Sequence, residues 1–259
     1  MTGNKRAALL LQDRDRHLLA ELGVMRIIDR ETTKVVAGFH STTRANTRLL
    51  RLTRAGFLRR FFVGTTGPGQ KAVYTLSSKG SELVSAKLGG IHRPAGRLVV
   101  GDRFVEHQAG INEIYTALKY RANPHAGLRL DRWVNFRQPL SEAIKLTPDA
   151  YFELRSSQAT RAVFLEVDLG TEALSVWQQK TAYYLQLALT GEFAKRFRQP
   201  QFLVLVVATS ERRAAHIRAT VSKSTDKIFR FTTLENINRD GFWSPVWLKP
   251  TGDQRHSLF

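Results

Sequence analysis

The sequence predicts a chain of mixed α+β and α/β class in two parts: a small basic unit of three helices and a hairpin, then a larger unit with a central mixed sheet flanked by helices. Three observations predict it. Three short amphipathic helices and a strand, glycine-rich tip, strand pattern follow one another within residues 1–90. An α-β-β-β-α-β-α-β succession fills residues 102–232, and a stretch rich in Gly and Pro (Gly89, Gly90, Pro94, Gly96) lies between them. The predicted bounds are 1–90 for the first domain, 91–101 for a linker and 102–259 for the second domain with a C-terminal extension. A length of 259 residues leaves room for two cores of roughly 100–150 residues each.

Composition excludes whole classes of chemistry. With no cysteine, the chain has no disulfide framework, thiolate zinc site, iron–sulfur cluster or cysteine nucleophile. No apolar run approaches the roughly 18 residues of a membrane helix, and nothing resembles a cleaved leader, so a cytoplasmic protein without a membrane partner is expected. Lys and Arg number 40 against 22 Asp and Glu, a net charge of +18, and such a surface attracts polyanions through counterion release. The charge is concentrated: residues 1–100 carry 18 Lys/Arg and 6 Asp/Glu. Nucleic acid is the leading partner.

Residues 12–22 have Leu18, Leu19 and Leu22 at helical spacing, Asp13 as a possible cap and Gly23 as a stop. Asp29 can cap a second helix ended by Gly38, and Ser41 a third running to about Ala55 and ended by Gly56. On this third helix Ala45, Leu49 and Leu52 share one face. Arg44, Arg48 and Arg51 repeat that spacing one position earlier, joined by Thr47 and Arg54. Between Ser41 and Val63 there are six arginines and no acid. Guanidinium forks match the paired acceptors of guanine and also bridge phosphates, so this face suits recognition of double-stranded DNA, with Arg48 reading a base. A merely solvated face is the alternative. The strand at 57–63 brings Arg59 and Arg60, and Lys71 follows the glycine-rich tip, where a phosphate contact is expected.

The run LLRLTRAGFLRR followed by VYTLSSKGSELV resembles winged helix-turn-helix regulators over roughly residues 8–90, with a leucine-patterned recognition helix, a wing and a closing helix in that order. The resemblance implies a winged helix-turn-helix DNA-binding domain.

In the second domain a helix over 102–121 precedes strands near 128–136, 148–154 and 161–169, a helix over 171–189, an apolar strand at 201–208, a helix at 211–221 and a strand near 228–231. Strand alternation puts Glu166 and Asp168 on one side of the third strand. Acids inside an apolar strand cost several kcal/mol unless paired or holding a cation. Asp149 can close the cluster, giving three hard oxygen ligands of the kind Mg²⁺ or Mn²⁺ accepts for phosphodiester hydrolysis. Pairing of these acids with arginines such as Arg155 or Arg161 is the alternative. Lys180 interrupts an apolar stripe of Trp177, Tyr184 and Leu187 and therefore wants an acidic partner. No P-loop occurs, the seven histidines are scattered, and Tyr183 and Tyr184 suit packing better than nucleophilic attack. Trp243 and Trp247 are expected to pack back on this domain.

At TPDAYFEL and AVFLEVDLGTE the chain resembles the PD-(D/E)XK nuclease superfamily over roughly residues 102–232. The resemblance implies a metal-ligating Asp149 and an acidic Glu166, while the family's usual lysine position holds Asp168. Lys180 on the following helix is the substitute it suggests. Nearly the whole chain is similar to the replication-relaxation family of plasmids and mobile elements, which implies roles in plasmid replication and DNA relaxation. It also implies replication, transposition or transfer proteins, or a second copy of the chain, as further partners. Two functions stay open: a metal-dependent endonuclease or nickase using Asp149, Glu166, Asp168 and Lys180, or a nuclease-inactive DNA-binding factor whose second domain clamps DNA or binds a protein.

Overall fold

The computed structural model describes residues 9–64, 69–87, 102–125 and 127–258. The expected linker and the tip of the hairpin at 65–68 lie outside the described residues. The chain divides into two units, Met1–Asn112 and Glu113–Phe259. Among the described residues no helix is long and apolar enough to cross a membrane.

The first unit runs α1 (Asp13–Met25), β1 (Ile28–Asp29), α2 (Arg30–Val36), α3 (Thr42–Arg54), β2 (Leu58–Gly64), β3 (Gln70–Leu76) and α4 (Ser78–Lys87), and it takes in the first turns of α5 (Asp102–Lys119). The expected periodicities hold. Leu18, Leu19 and Leu22 of α1 and Ala45, Leu49 and Leu52 of α3 are all buried. Asp29 caps α2 by accepting from the Thr32 N–H at 2.7 Å, and Ser41 caps α3 through the Arg44 N–H. Gly56 ends α3 at φ +80°, and the Phe57 N–H reaches back to the Leu52 carbonyl at 3.0 Å, closing the last turn. β2 and β3 pair antiparallel from Leu58↔Leu76 to Gly64↔Gln70, and β1 adds on the far side of β3.

Two local expectations change. Gln12, not Asp13, is the N-cap of α1, its N–H given to the Asp15 carboxylate at 2.7 Å. The helix also runs through Gly23 to Met25, because Arg26 takes the positive φ (66°) that turns the chain. The start of α5 belongs with this unit: Val105 joins Ile27, Val63 and Val73, and Asn112 donates to the Ile27 carbonyl at 2.9 Å.

The second unit holds the rest of α5, then β4 (Arg129–Asn135), β5 (Ala150–Arg155), β6 (Thr160–Asp168), α6 (Leu174–Leu189), α7 (Glu192–Phe197), β7 (Phe202–Ala208), α8 (Glu211–Val221), β8 (Phe229–Thr233), α9 (Leu234–Asp240), β9 (Trp247–Leu248) and β10 (Arg255–His256). They build a seven-stranded sheet in the order β10-β9-β8-β7-β6-β5-β4. β4, β5 and β6 form an antiparallel meander, while β6, β7 and β8 run parallel through helical crossovers, so the sheet is mixed as the element order predicts. Phe164 lies at the centre of the core, its ring 5.1 Å from Phe202 and 5.4 Å from Phe197, with Trp177 and Tyr184 of α6 fully buried in the same cluster. Trp243 and Trp247 are buried here too, Trp247 donating to the Phe242 carbonyl.

Candidate functional sites

The polar face of α3 is only partly free. Arg44, Thr47, Arg51 and Arg54 are exposed, and the three arginines make no ion pair among the described residues. Residues Arg44, Thr47, Arg48 and Arg51 line a shallow surface cavity of about 270 Å³ together with Gln12, Phe39 and Thr43. Arg48 corrects the sequence reading. Its Nε donates to Asp15 Oδ1 at 2.6 Å, its Nη2 donates to the Leu10 carbonyl at 3.0 Å and also pairs with Asp15 Oδ2, and its side chain is 12% exposed. The Asp15 carboxylate raises the Arg48 pKa further, since it stabilises the charged form. This guanidinium ties α3 to the start of α1, so its donors are engaged within the unit although the side chain still borders the surface cavity.

On the hairpin, Arg59 and Arg60 are exposed and stack over Phe61 and Phe62, at 5.3 and 5.0 Å. Lys71 is exposed but ion-paired with Asp29. Burial pushes the Asp29 pKa up, yet Lys71 and the Thr32 N–H outweigh it and hold this carboxylate below its usual range. Lys71 thus anchors β3 to the cap of α2, which the sequence reading did not anticipate.

The second cluster sits at the C-terminal end of β6. Glu166 is wholly buried; Tyr184 Oη donates to its Oε1 at 2.6 Å and Lys180 Nζ to its Oε2 at 2.9 Å. Lys180 also binds both oxygens of Glu172, at 3.0 and 2.9 Å. Asp149, just before β5, accepts from the Val167 N–H at 2.7 Å, and its charge raises the pKa of both Glu166 and Lys180. Burial pushes the Glu166 carboxyl up to about 7, Asp149 adding to the rise and Lys180 and Tyr184 opposing it. Burial alone would lower Lys180; Glu166, Glu172 and Asp149 more than reverse this, so the amine stays charged.

Asp168 lies next to this cluster but is committed elsewhere. Its Oδ1 accepts from the Gly170 N–H and Arg213 Nε, both at 2.7 Å, and its Oδ2 from Trp177 Nε1 and Arg213 Nη2, both at 2.8 Å. These donors outweigh the upward push of burial and hold its pKa below the usual value. The expected three-carboxylate metal site is therefore corrected: among the described residues no group of three acids or histidines is arranged to hold a metal. A smaller donor set does fit a hard cation. Mg²⁺ keeps most of its water and needs only one or two carboxylates plus substrate phosphate. Asp149 and Glu166 supply two, Glu166 having its pKa raised first by burial and then by the neighbouring Asp149 charge.

The reading of Lys180 as seeking an acid holds, as does the one-sided alternation of Glu166 and Asp168. The arginine that pairs with Asp168 is Arg213, not Arg155 or Arg161; Arg155 pairs with Asp131. Glu172, Tyr184 as a partner of Glu166, and Arg213 were not singled out. Glu172 lies in an aperiodic turn and Arg213 is 45 residues from its acid, so local pattern carries no signal for either.

A helical unit with an arginine-faced helix and a hairpin, joined to a mixed-sheet α/β unit with a buried acid–lysine cluster, is the class of protein these observations define. The chain belongs to the replication-relaxation family, which matches residues 19–198. No curated protein matches it. Among solved structures, Bacillus subtilis PadR in complex with operator DNA is 16% identical, covering 42% of this chain and 69% of that one at a TM-score of 0.25.

Proposed function

We propose that this protein acts on DNA in replication. In this reading the first unit is a winged helix-turn-helix that reads a duplex, and the second is a PD-(D/E)XK-like domain that cuts or nicks it with Mg²⁺ or Mn²⁺. The observation that carries the nuclease half is the cluster of Asp149, Glu166 and Lys180, in which a lysine from α6 stands 2.9 Å from a buried strand carboxylate. It is the pairing the superfamily resemblance calls for, with the lysine moved from the strand to the helix.

Asp149 and Glu166 would hold the cation. Bound there, it supplies Lewis acidity toward a scissile phosphate and a water of lowered pKa. Lys180 brings a fixed positive charge beside the carboxylates, suited to offsetting charge that develops on the phosphate. Tyr184 holds Glu166 in one orientation through its hydroxyl. Asp168 positions rather than ligates, since it fastens the end of β6 to Trp177 and Arg213.

On the DNA side, Arg44, Thr47, Arg51 and Arg54 form the face offered to the major groove, with Arg59 and Arg60 on the hairpin. A second reading, a DNA-binding factor without nuclease activity, is favoured by one observation: Lys180 already bonds both Glu166 and Glu172.

Supercoiled-plasmid nicking with Mg²⁺ or Mn²⁺, comparing wild type with Asp149→Ala, Glu166→Ala and Lys180→Met, separates the two. Nicking by wild type that is lost in all three variants supports the nuclease. Equal activity in all four proteins removes this site from the chemistry. No activity in any, with salt-sensitive duplex binding intact, leaves the binding factor.

A further inference from the structure

β6 carries its acids at one end and a different chemistry at the other. Around the N-terminal ends of β6 and β7 the second unit encloses a cavity of about 690 Å³, within the ~300–1,000 Å³ usual for small-ligand pockets. Its wall includes Arg161, Lys227 and Arg230, and its described lining contains no Asp or Glu. The phenyl rings of Phe193 and Phe202 provide an apolar wall, and His125, set edge-on against Trp243 at 5.8 Å, stands at another side. Glu166 lies four residues along β6 from Ala162, about 13 Å at ~3.3 Å per residue, so this cavity is separate from the acid–lysine cluster.

Arg230 gives the cavity direction. Its Nη1 is held by its own chain, donating to the Lys227 carbonyl at 2.6 Å and the Phe229 carbonyl at 2.7 Å. Among the described residues its Nε and Nη2 have no protein acceptor, and the Lys227 ammonium has no acidic partner. Burial and then the positive charge of Arg161 lower the Arg230 pKa. Arg161 is partly spent, its Nη1 donating to the Leu258 carbonyl, but the half-buried Arg230 fork with donors to spare and the Lys227 ammonium match the oxygens of a phosphate, and a flat apolar wall matches a base or sugar.

We propose that this cavity binds the phosphate of a nucleotide, with Arg230 and Lys227 on the phosphate, Arg161 adding positive charge beside them, and Phe193 and Phe202 against the organic part. The phosphate has two possible sources, a free nucleotide or the phosphorylated end of a DNA strand, and the recognising chemistry is the same.

The test is calorimetric or fluorescence titration of the full chain with ADP against adenosine, and with a 5′-phosphorylated hexanucleotide against its 5′-hydroxyl counterpart. Saturable binding that requires the phosphate and weakens ~10-fold or more in Arg230→Gln, as expected for loss of a charge-assisted contact, supports the site. Lys227→Gln, an exposed position, must weaken the same ligand even if Arg230→Gln misfolds. Preference for ADP assigns the site to free nucleotide; preference for the phosphorylated hexanucleotide assigns it to a strand end. Neither phosphate-bearing ligand binding better than its phosphate-free counterpart, or both variants binding like wild type, overturns the proposal.

Discussion

Replacing Arg48 by alanine strips the counterion from Asp15, a carboxylate only 1% exposed. What remains to Asp15 is the Gln12 N–H at 2.7 Å, so most of its lost hydration goes uncompensated. Removing one partner of a buried pair costs about 3–5 kcal/mol. The 12% exposure of the Arg48 side chain admits some water and points to the lower end, about 3 kcal/mol. At roughly 4–8 °C per kcal/mol for a small domain, the melting transition of the first unit falls by at least ~10 °C. Calorimetry of the full chain reads this directly, since separate units need not melt together. Asp15→Asn added to Arg48→Ala should recover part of the loss by removing the stranded charge. If Arg48→Ala instead melts within ~2 °C of wild type while duplex affinity collapses, the guanidinium serves DNA and not the fold, and the reasoning fails.

The exposed arginines behave in the opposite way. Arg44→Ala and Arg51→Ala leave stability within about 0.5 kcal/mol, while each lowers the slope of log affinity against log salt by roughly 0.9 if it contacts a phosphate; an unaltered slope and affinity in both would remove α3 from the interface. Asp168→Ala leaves the buried Trp177 Nε1 without its acceptor and Arg213 with only the Glu172 carbonyl, and costs about 3–5 kcal/mol in urea unfolding, and a midpoint like wild type would show that this network carries no stability. Gly80→Ala puts a Cβ 2.2 Å from the Phe57 carbonyl oxygen, so backbone must shift; a loss of about 1–3 kcal/mol or more is expected, and an unchanged unfolding midpoint would contradict the close approach of α4 to the start of β2.

Much of this architecture was legible because period determines burial. Ala45, Leu49 and Leu52 read as one helical face and are each fully buried, and the apolar runs of β6 and β7 read as interior strands and sit in the middle of the sheet. What escaped has two physical causes. Elements of two residues, such as β1, β9 and β10, or of six, such as α7, are too short to display a period. Pairings between distant residues are set by tertiary approach: Arg48 finds Asp15 across 33 residues, and Asp168 finds Arg213 across 45. Both charges, Arg48 and Asp168, lie on the face and element expected of them. Their partners came from other elements, which no local pattern contains. Lys180 was legible for the opposite reason, since a lysine breaking an apolar stripe advertises its need for an acid.

With Arg48 spent on holding two helices together, the outward stripe of α3 shrinks to Arg44, Thr47, Arg51 and Arg54, ten residue steps from first to last. Ten residues of helix advance about 15 Å, and at ~3.4 Å per base pair such a stripe spans only four or five steps of a duplex. A word of four letters recurs by chance about once in 256 positions, far too often to single out one locus against the competing sites of a genome. If the proposed reading of DNA by α3 holds, locus-level selectivity would come from the added hairpin contacts of Arg59 and Arg60, from reading two such words at a fixed spacing, or from the bending of the DNA between them.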